Sequence, residues 1–274
     1  MPQTSNGVSY HVGGTGDPTL LLVHGFACAG EDWSHQLADL RNEFRCVTLD
    51  LPGHGASLPP PAVTLAALGS AVNEVRREAG LGRVILVGHS LGAKIIREAY
   101  AEQPADVAGL VLIDGAFYDS DRPTMIARAS ALIDADGFAA YARKHFAGMF
   151  TVGTDPSMKA HIVDRTMRLE PGFGRTLYLE AVGWDSLRGK ATLRAIKVPV
   201  LVLQSTHLGA SLERESLARG MKSDFMKLVE RLVPGAETQV IAGVGHFSML
   251  EAPHEVSQAL RMFASRTHGR EMHG

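Results

Sequence analysis

The fold of this chain is decided by residues 83–92, RVILVGHSLG, where an unbroken apolar run leads into the pentapeptide Gly-x-Ser-x-Gly. Residues 83–87 have the β-branched, continuously apolar character of a strand buried on both faces. A helical pattern follows at residues 93–102, so the pentapeptide occupies a tight turn between strand and helix. Its glycines permit such a turn, which would raise the Ser90 hydroxyl at the carboxyl end of the strand and aim the Leu91 N–H at an incoming carbonyl oxygen.

The same alternation of strand and helix continues on both sides of this stretch. Short apolar runs predict strands at residues 20–23, 45–49, 110–113, 200–203 and 238–241, with an antiparallel edge strand at residues 8–12. Helical patterns lie at residues 31–41, 65–78, 211–232 and 253–266. This order predicts an α/β protein with a doubly wound, mostly parallel sheet covered by helices.

Residues 117–190 interrupt the alternation, because only helical patterns occur there. Asp155-Pro156, for example, has the residue types of an N-cap followed by proline in the first helical turn. We predict a helical cap, or lid, over residues 117–190, inserted after the strand that follows the Ser90 turn. The core domain would then comprise residues 1–116 and 191–274.

The composition excludes several classes of protein. Of the 274 residues, 45% are hydrophobic and 20% are charged, which is enough apolar material for a core and excludes disorder as the main state. The net charge of −2 does not indicate nucleic acid or a membrane surface as a partner. Two cysteines, Cys28 and Cys46, favour a reducing compartment over a disulfide scaffold. We find no signal-peptide pattern and no apolar run near the ~20 residues of a membrane span, and therefore expect a cytoplasmic protein of undetermined oligomeric state.

A base for Ser90 is predicted at His246. This histidine follows the last predicted strand, within Gly243-Val244-Gly245-His246. Functional groups in open α/β sheets gather at the carboxyl ends of strands, and a serine that precedes its histidine in the chain is the order of an α/β-hydrolase triad.

Four separated motifs now carry a resemblance to a known family. They are His24-Gly25-Phe26, residues 49–57 (LDLPGHGAS), the Ser90 pentapeptide and Gly245-His246. Together they resemble the α/β-hydrolase fold superfamily over about residues 7–265, with the insertion as the variable part. The resemblance implies a lidded serine hydrolase similar to carboxylesterases and lactonases. It also implies that the Phe26 N–H is the second oxyanion-hole donor, paired with the Leu91 N–H.

The acidic member of the triad departs from the commonest pattern of the superfamily. Most members have an aspartate after the strand that corresponds to residues 200–203, where this chain reads Gln204-Ser205-Thr206. A minority place the acid after the strand that follows the elbow, where this chain has Asp114. We predict Asp114, which would orient His246. Because the connection after residue 203 is long, Glu213, Glu215 and Asp224 remain alternatives.

The predicted reaction is hydrolysis of a carboxylic ester or lactone of a small apolar molecule through an acyl-enzyme at Ser90. This chemistry needs no cofactor and no metal, and the zinc motifs His-Glu-x-x-His and Cys-x-x-Cys do not occur. Epoxide hydrolases and haloalkane dehalogenases carry aspartate at the nucleophile position, so Ser90 argues against both. Carbon–carbon bond hydrolysis, cofactor-free perhydrolysis and a non-catalytic small-molecule receptor on the same fold remain alternatives.

Overall fold

A computed structural model describes residues 1–209 and 214–269. The strands found there are β1 (Tyr10–Gly13), β2 (Thr19–Val23), β3 (Cys46–Leu49), β4 (Val84–His89), β5 (Val107–Ile113), β6 (Val200–Gln204), β7 (Thr206–Leu208), β8 (Arg214–Ser216) and β9 (Glu237–Val240). Within the described residues, one sheet has the order β1-β3-β2-β4-β5-β6-β9, and β7 and β8 form a separate antiparallel hairpin. Strand β1 is antiparallel to β3, and all other neighbours in the main sheet are parallel. The predicted mostly parallel sheet is confirmed.

Helices cover both faces of this sheet, and further helices lie in the insertion after β5. The helices of the described residues are α1 (Ser34–Leu40), α2 (Leu65–Glu78), α3 (Leu91–Glu102), α4 (Arg122–Asp136), α5 (Phe138–Ala147), α6 (Pro156–Arg165), α7 (Pro171–Trp184), α8 (Lys190–Arg194), α9 (Asp224–Leu232), α10 (Ser248–Glu251) and α11 (Pro253–Gly269). Because successive side chains of a strand point to opposite faces, neighbouring residues enter different cores. Leu21 and Leu86 pack with α2, α3 and α9, whereas Leu20 and Ile85 pack with α1 and α11.

Between β5 and β6 the chain forms helices α4 to α8, with a π-helical turn, Asp185–Gly189, between α7 and α8. The predicted N-cap is confirmed, because the Asp155 carboxylate accepts hydrogen bonds from the N–H groups of Ser157 (2.8 Å) and Met158 (2.9 Å). This insertion is tied to α3, where Glu98 accepts a 2.6 Å hydrogen bond from the indole N–H of Trp184. Its role as a separate lid stays a prediction.

The predicted helix over residues 211–232 is wrong in its first part. Residues 210–213 lie outside the described residues, Arg214–Ser216 form β8, and the helix begins only at Asp224. Ser223 caps it by accepting a 3.1 Å hydrogen bond from the Met226 N–H. Residues 214–216 pair with β7 instead, and in this pairing Arg214 contacts the buried Asp114 carboxylate. The free energy of such tertiary contacts outweighs the local helix propensity. The remaining predicted core elements agree with the structure to within a few residues.

No helix in the described part of the chain combines the length and apolarity needed to cross a membrane.

Candidate active site

Ser90 lies at the turn between β4 and α3. Its φ of 54° and ψ of −114° place it in a conformation that non-glycine residues rarely adopt. Its N–H donates a 2.8 Å hydrogen bond to the Ile113 carbonyl, which fixes the turn against β5. A Cβ on Gly88 would lie 2.4 Å from the Gly92 carbonyl oxygen, and a Cβ on Gly92 would lie 2.4 Å from that of Val23. The turn therefore requires glycine on both sides of the serine, in agreement with the predicted elbow.

The chain after β2 passes directly beside Ser90. A Cβ on Gly25 would come within 3.2 Å of the Ser90 Cβ, so Phe26 is the next residue along a segment in contact with the elbow. Ala27 has a positive φ of 52°, and its N–H donates to Nε2 of His54 at 3.2 Å. The loop that carries His54 thus stabilises the segment at Phe26.

His246 lies between β9 and α10 and is 1% exposed. Its backbone is held from two sides: its N–H donates to the Met149 carbonyl at 2.8 Å, and its carbonyl accepts a 2.9 Å hydrogen bond from Nε2 of His89. On the side chain, Nδ1 lies 2.5 Å from Oδ2 of Asp114. Since Nδ1 is engaged with this carboxylate, Nε2 is the nitrogen left for proton transfer.

Asp114 follows β5 and is fully buried, with a φ of 46°. Its Oδ1 accepts the backbone N–H groups of Ser205 and Thr206, both at 2.8 Å. Its Oδ2 accepts from the Thr206 hydroxyl at 2.6 Å and from the Arg214 guanidinium at 2.9 Å, in addition to His246. Every bond on this carboxylate favours its ionised form.

The alternative acids lie elsewhere. The Glu215 side chain is 59% exposed and lies 3.5 Å from Nε2 of His207. Asp224 is 97% exposed and pairs with Lys227. Glu213 lies outside the described residues. Among the described carboxylates, the structure therefore brings Asp114 to His246, rather than Glu215 or Asp224.

Burial and neighbouring charge set the protonation of these groups. Burial alone would raise the pKa of Asp114, but Arg214 and the hydrogen bonds from His246 and Thr206 hold it well below its usual range. For His246, burial and then the charge of Arg214 lower the pKa to about 4, although Asp114 opposes the shift. Burial likewise lowers the pKa of His89 to about 3. At neutral pH the site therefore holds an ionised carboxylate beside a neutral imidazole, the pairing that general-base chemistry requires.

Ser90 and His246 line one cavity of about 590 Å³. Phe26 and Leu91, the predicted oxyanion-hole residues, lie on its wall as well. The opposite wall comes from α4, α5 and α7 of the insertion, which contribute mainly apolar and aromatic side chains, including Met125, Phe146, Tyr141 and Tyr178. A cavity of this size suits a small ligand.

Sequence reasoning did not single out Thr206 or Arg214. Arg214 falls within the helix predicted over residues 211–232, and its contact with Asp114 joins residues 100 positions apart in the chain. The signal that could have found Thr206 is Gln204-Ser205-Thr206 itself. Hydroxyl and backbone donors at the end of β6 suit an acceptor at the end of β5, the neighbouring parallel strand.

Known proteins resemble this chain along most of its length. One relative is the dihydrolipoyllysine-residue acetyltransferase component of an acetoin-cleaving system from Cupriavidus necator, 26% identical over 93% of this chain, which spans only 65% of that protein. Another is Carboxylesterase YbfK from Bacillus subtilis, 25% identical over 90% of this chain and 80% of its own length. The solved enol-lactonase of Burkholderia xenovorans is 20% identical, with a TM-score of 0.78 over 96% of this chain and 98% of that one, and it shares the fold.

The model of the alpha/beta hydrolase family matches residues 20–259. This range begins in β2, passes through the Ser90 elbow and ends in α11, so it includes every element that carries a residue of the candidate site. The chain belongs to the alpha/beta hydrolase family.

Proposed function

We propose that this protein is a serine hydrolase that cleaves a carboxylic ester or lactone of a small, largely apolar molecule. The observation that carries the proposal is the 2.5 Å Asp114–His246 hydrogen bond in a site whose cavity is also lined by Ser90. Family membership, the carboxylesterase relative and the enol-lactonase fold neighbour support the same class of reaction.

In the proposed first half-reaction, Nε2 of His246 takes the proton of the Ser90 hydroxyl while Oγ attacks the carbonyl carbon. The N–H groups of Phe26 and Leu91 donate to the oxyanion, each worth about 3 kcal/mol of transition-state stabilisation. Asp114 stabilises the imidazolium that forms. The imidazolium then gives its proton to the leaving alkoxide oxygen, which leaves an acyl ester on Ser90.

In the second half-reaction, His246 takes a proton from a water molecule that attacks the acyl carbon. The oxyanion occupies the same two N–H donors. When the tetrahedral intermediate collapses, the Ser90 oxygen leaves and regains a proton from His246. The products are a carboxylic acid and the free enzyme, or a hydroxy acid when the substrate is a lactone.

Residues 117–190 are proposed to act as the lid of this site. Their helices supply a mainly apolar part of the cavity that Ser90 also lines, and the Met149 carbonyl holds the His246 backbone. A cavity of this volume and lining favours substrates with small acyl and alcohol groups.

Active-site labelling with a fluorophosphonate probe tests the nucleophile. We expect covalent labelling of the unaltered protein, loss of labelling in Ser90→Ala, and normal labelling in Ser186→Ala, whose hydroxyl bonds within the insertion to the Gly183 carbonyl. Persistent labelling of Ser90→Ala would disprove the assignment.

A substrate panel tests the reaction class. Aryl esters, acyl lactones and vinylogous diketones should each be supplied to the unaltered protein and to Ser90→Ala. We expect serine-dependent turnover of esters or lactones. Turnover of the diketones alone would favour a carbon–carbon bond hydrolase, and a protein that shows neither labelling nor turnover of any compound would favour a receptor.

A further inference from the structure

Arg214 contacts the carboxylate oxygen that His246 also uses. Its Nη1 lies 2.9 Å from Oδ2 of Asp114 and 2.8 Å from the hydroxyl oxygen of Thr206. The Arg214 side chain is only 11% exposed, and Asp114 is fully buried, so solvent screens this ion pair weakly. One carboxylate oxygen is therefore shared between a permanent cation and the imidazole proposed as the base.

This sharing changes what Asp114 can do for His246. A free carboxylate stabilises the adjacent imidazolium and so favours protonation of the ring. With Arg214 on the same oxygen, part of that negative charge is already neutralised, and the guanidinium also repels a positive ring. Both effects favour the neutral form of His246, which is the form that can accept the Ser90 proton.

The groups that face His246 come from several elements. Asp114 lies at the end of β5 and Arg214 in β8, while the His89 ring at the end of β4 has its centroid 4.6 Å from that of His246. His145 of α5 lies across the cavity. Burial lowers the pKa of His89 to about 3 and that of His145 to about 4, so both are neutral at neutral pH. Asp114 contacts His246 directly, and Arg214 contacts that same carboxylate. The Glu251 carboxylate of α10 accepts a hydrogen bond from the Thr154 hydroxyl, and the other charged side chains that line the cavity are Lys94, Arg128, Asp136 and Lys144.

We propose that Arg214 is a positioning residue of this reaction, which anchors Asp114 from the β7–β8 hairpin and keeps His246 available as a base in weakly acidic solution. The inference rests on the proposed function, because it assigns Arg214 a part in the same proton transfer. The proposal adds Arg214, from a hairpin outside the main sheet, to Ser90, Asp114 and His246.

The test compares the titration of His246 in three variants by NMR, together with the pH profile of kcat/KM for an aryl ester. Arg214→Gln removes the charge, and we expect the His246 titration and the acid limb of kcat/KM to move upward by about 1–2 pH units. Arg214→Lys keeps the charge and should stay near the unaltered protein. Glu215→Gln, on the same short strand but exposed and directed at His207, serves as the matched control and should not shift either curve.

An unchanged titration in Arg214→Gln, or an equal shift in Arg214→Lys, would overturn the inference. A purely structural role would lower the rate in both variants without separating their pH profiles. If Arg214→Gln does not fold, Arg214→Met retains the aliphatic stem and gives the same comparison. The NMR titration needs no turnover, so it decides the role of Arg214 even if no ester is hydrolysed and the proposed function fails.

Discussion

The contacts of Asp114 depend on its backbone conformation as much as on its carboxylate. A positive φ at the end of β5 lets one oxygen accept two N–H groups from residues 205 and 206 while the other faces His246. Backbone strain of this kind costs on the order of 1–3 kcal/mol and persists where surrounding contacts fix it. Here five hydrogen bonds to one buried carboxylate provide that fixation.

Replacing Asp114 with asparagine should lower kcat by about 10³–10⁴-fold, the range measured for a triad acid. The neutral amide cannot stabilise the His246 imidazolium, and its NH₂ group would face donors on every side. Steady-state ester hydrolysis measures the effect, with Asp224→Asn as a control because Asp224 is 97% exposed. A variant within severalfold of the unaltered rate would mean that another carboxylate serves His246.

Because His246 has a low proton affinity, we expect kcat/KM to persist into weakly acidic solution. Burial and Arg214 lower its pKa to about 4, so the ring remains a neutral base as the pH falls from 7 towards that value. On the acidic side of its pH profile, kcat/KM of the free enzyme should therefore reach half its maximum near pH 4. This midpoint lies well below the pKa of about 6.5 for an unperturbed histidine. Far-UV circular dichroism over the same range checks that the chain stays folded. An acid limb near pH 6.5 in the folded protein would contradict this environment.

In the elbow between β4 and α3, the backbone at Gly92 lies close to the backbone at Val23, and this close approach outweighs helix propensity. Gly92 lies in the first turn of α3, where alanine would ordinarily favour the helix by up to about 1 kcal/mol. At this position a Cβ would come within 2.4 Å of the Val23 carbonyl oxygen, which is rigid backbone of the adjoining segment. The clash and the propensity therefore act in opposite directions.

We expect the clash to dominate, so that Gly92→Ala lowers the free energy of unfolding by about 1–3 kcal/mol. Urea denaturation followed by circular dichroism measures the change. Gly82→Ala is the matched control, because a Cβ there meets nothing within 4 Å. Equal stability of the two variants would show that the elbow can relax without cost.

Across the chain as a whole, the insertion is fastened to the core by buried charge. Lys94 of α3 donates a 2.6 Å hydrogen bond to Asp185 in the π-helical turn, and the two side chains are 8% and 0% exposed. Removing one partner leaves the other charge buried without compensation, whereas removing both can be nearly neutral. The effects of substituting Lys94 and Asp185 on the free energy of unfolding are therefore expected to be strongly non-additive.

Asp185→Ala should destabilise the protein by about 3–5 kcal/mol, and adding Lys94→Met should recover much of that loss. A double-mutant cycle of unfolding free energies measures the coupling. Asp164→Ala provides the comparison within the insertion: its ion pair with Arg143 is exposed and should contribute no more than about 1 kcal/mol. Additive effects of the Lys94 and Asp185 substitutions would exclude a coupled buried pair.

The sequence by itself determined the order of strands and helices, the Ser90 elbow and the strand end that carries His246, because apolar periodicity and glycine placement are local properties. Only the tertiary structure decided that Asp114 lies beside His246, 132 positions away, and that residues 214–216 form a strand whose arginine shares the carboxylate. Strand pairing and buried ionic contacts join distant segments, and their free energy exceeds the weak local preference that had favoured a helix there.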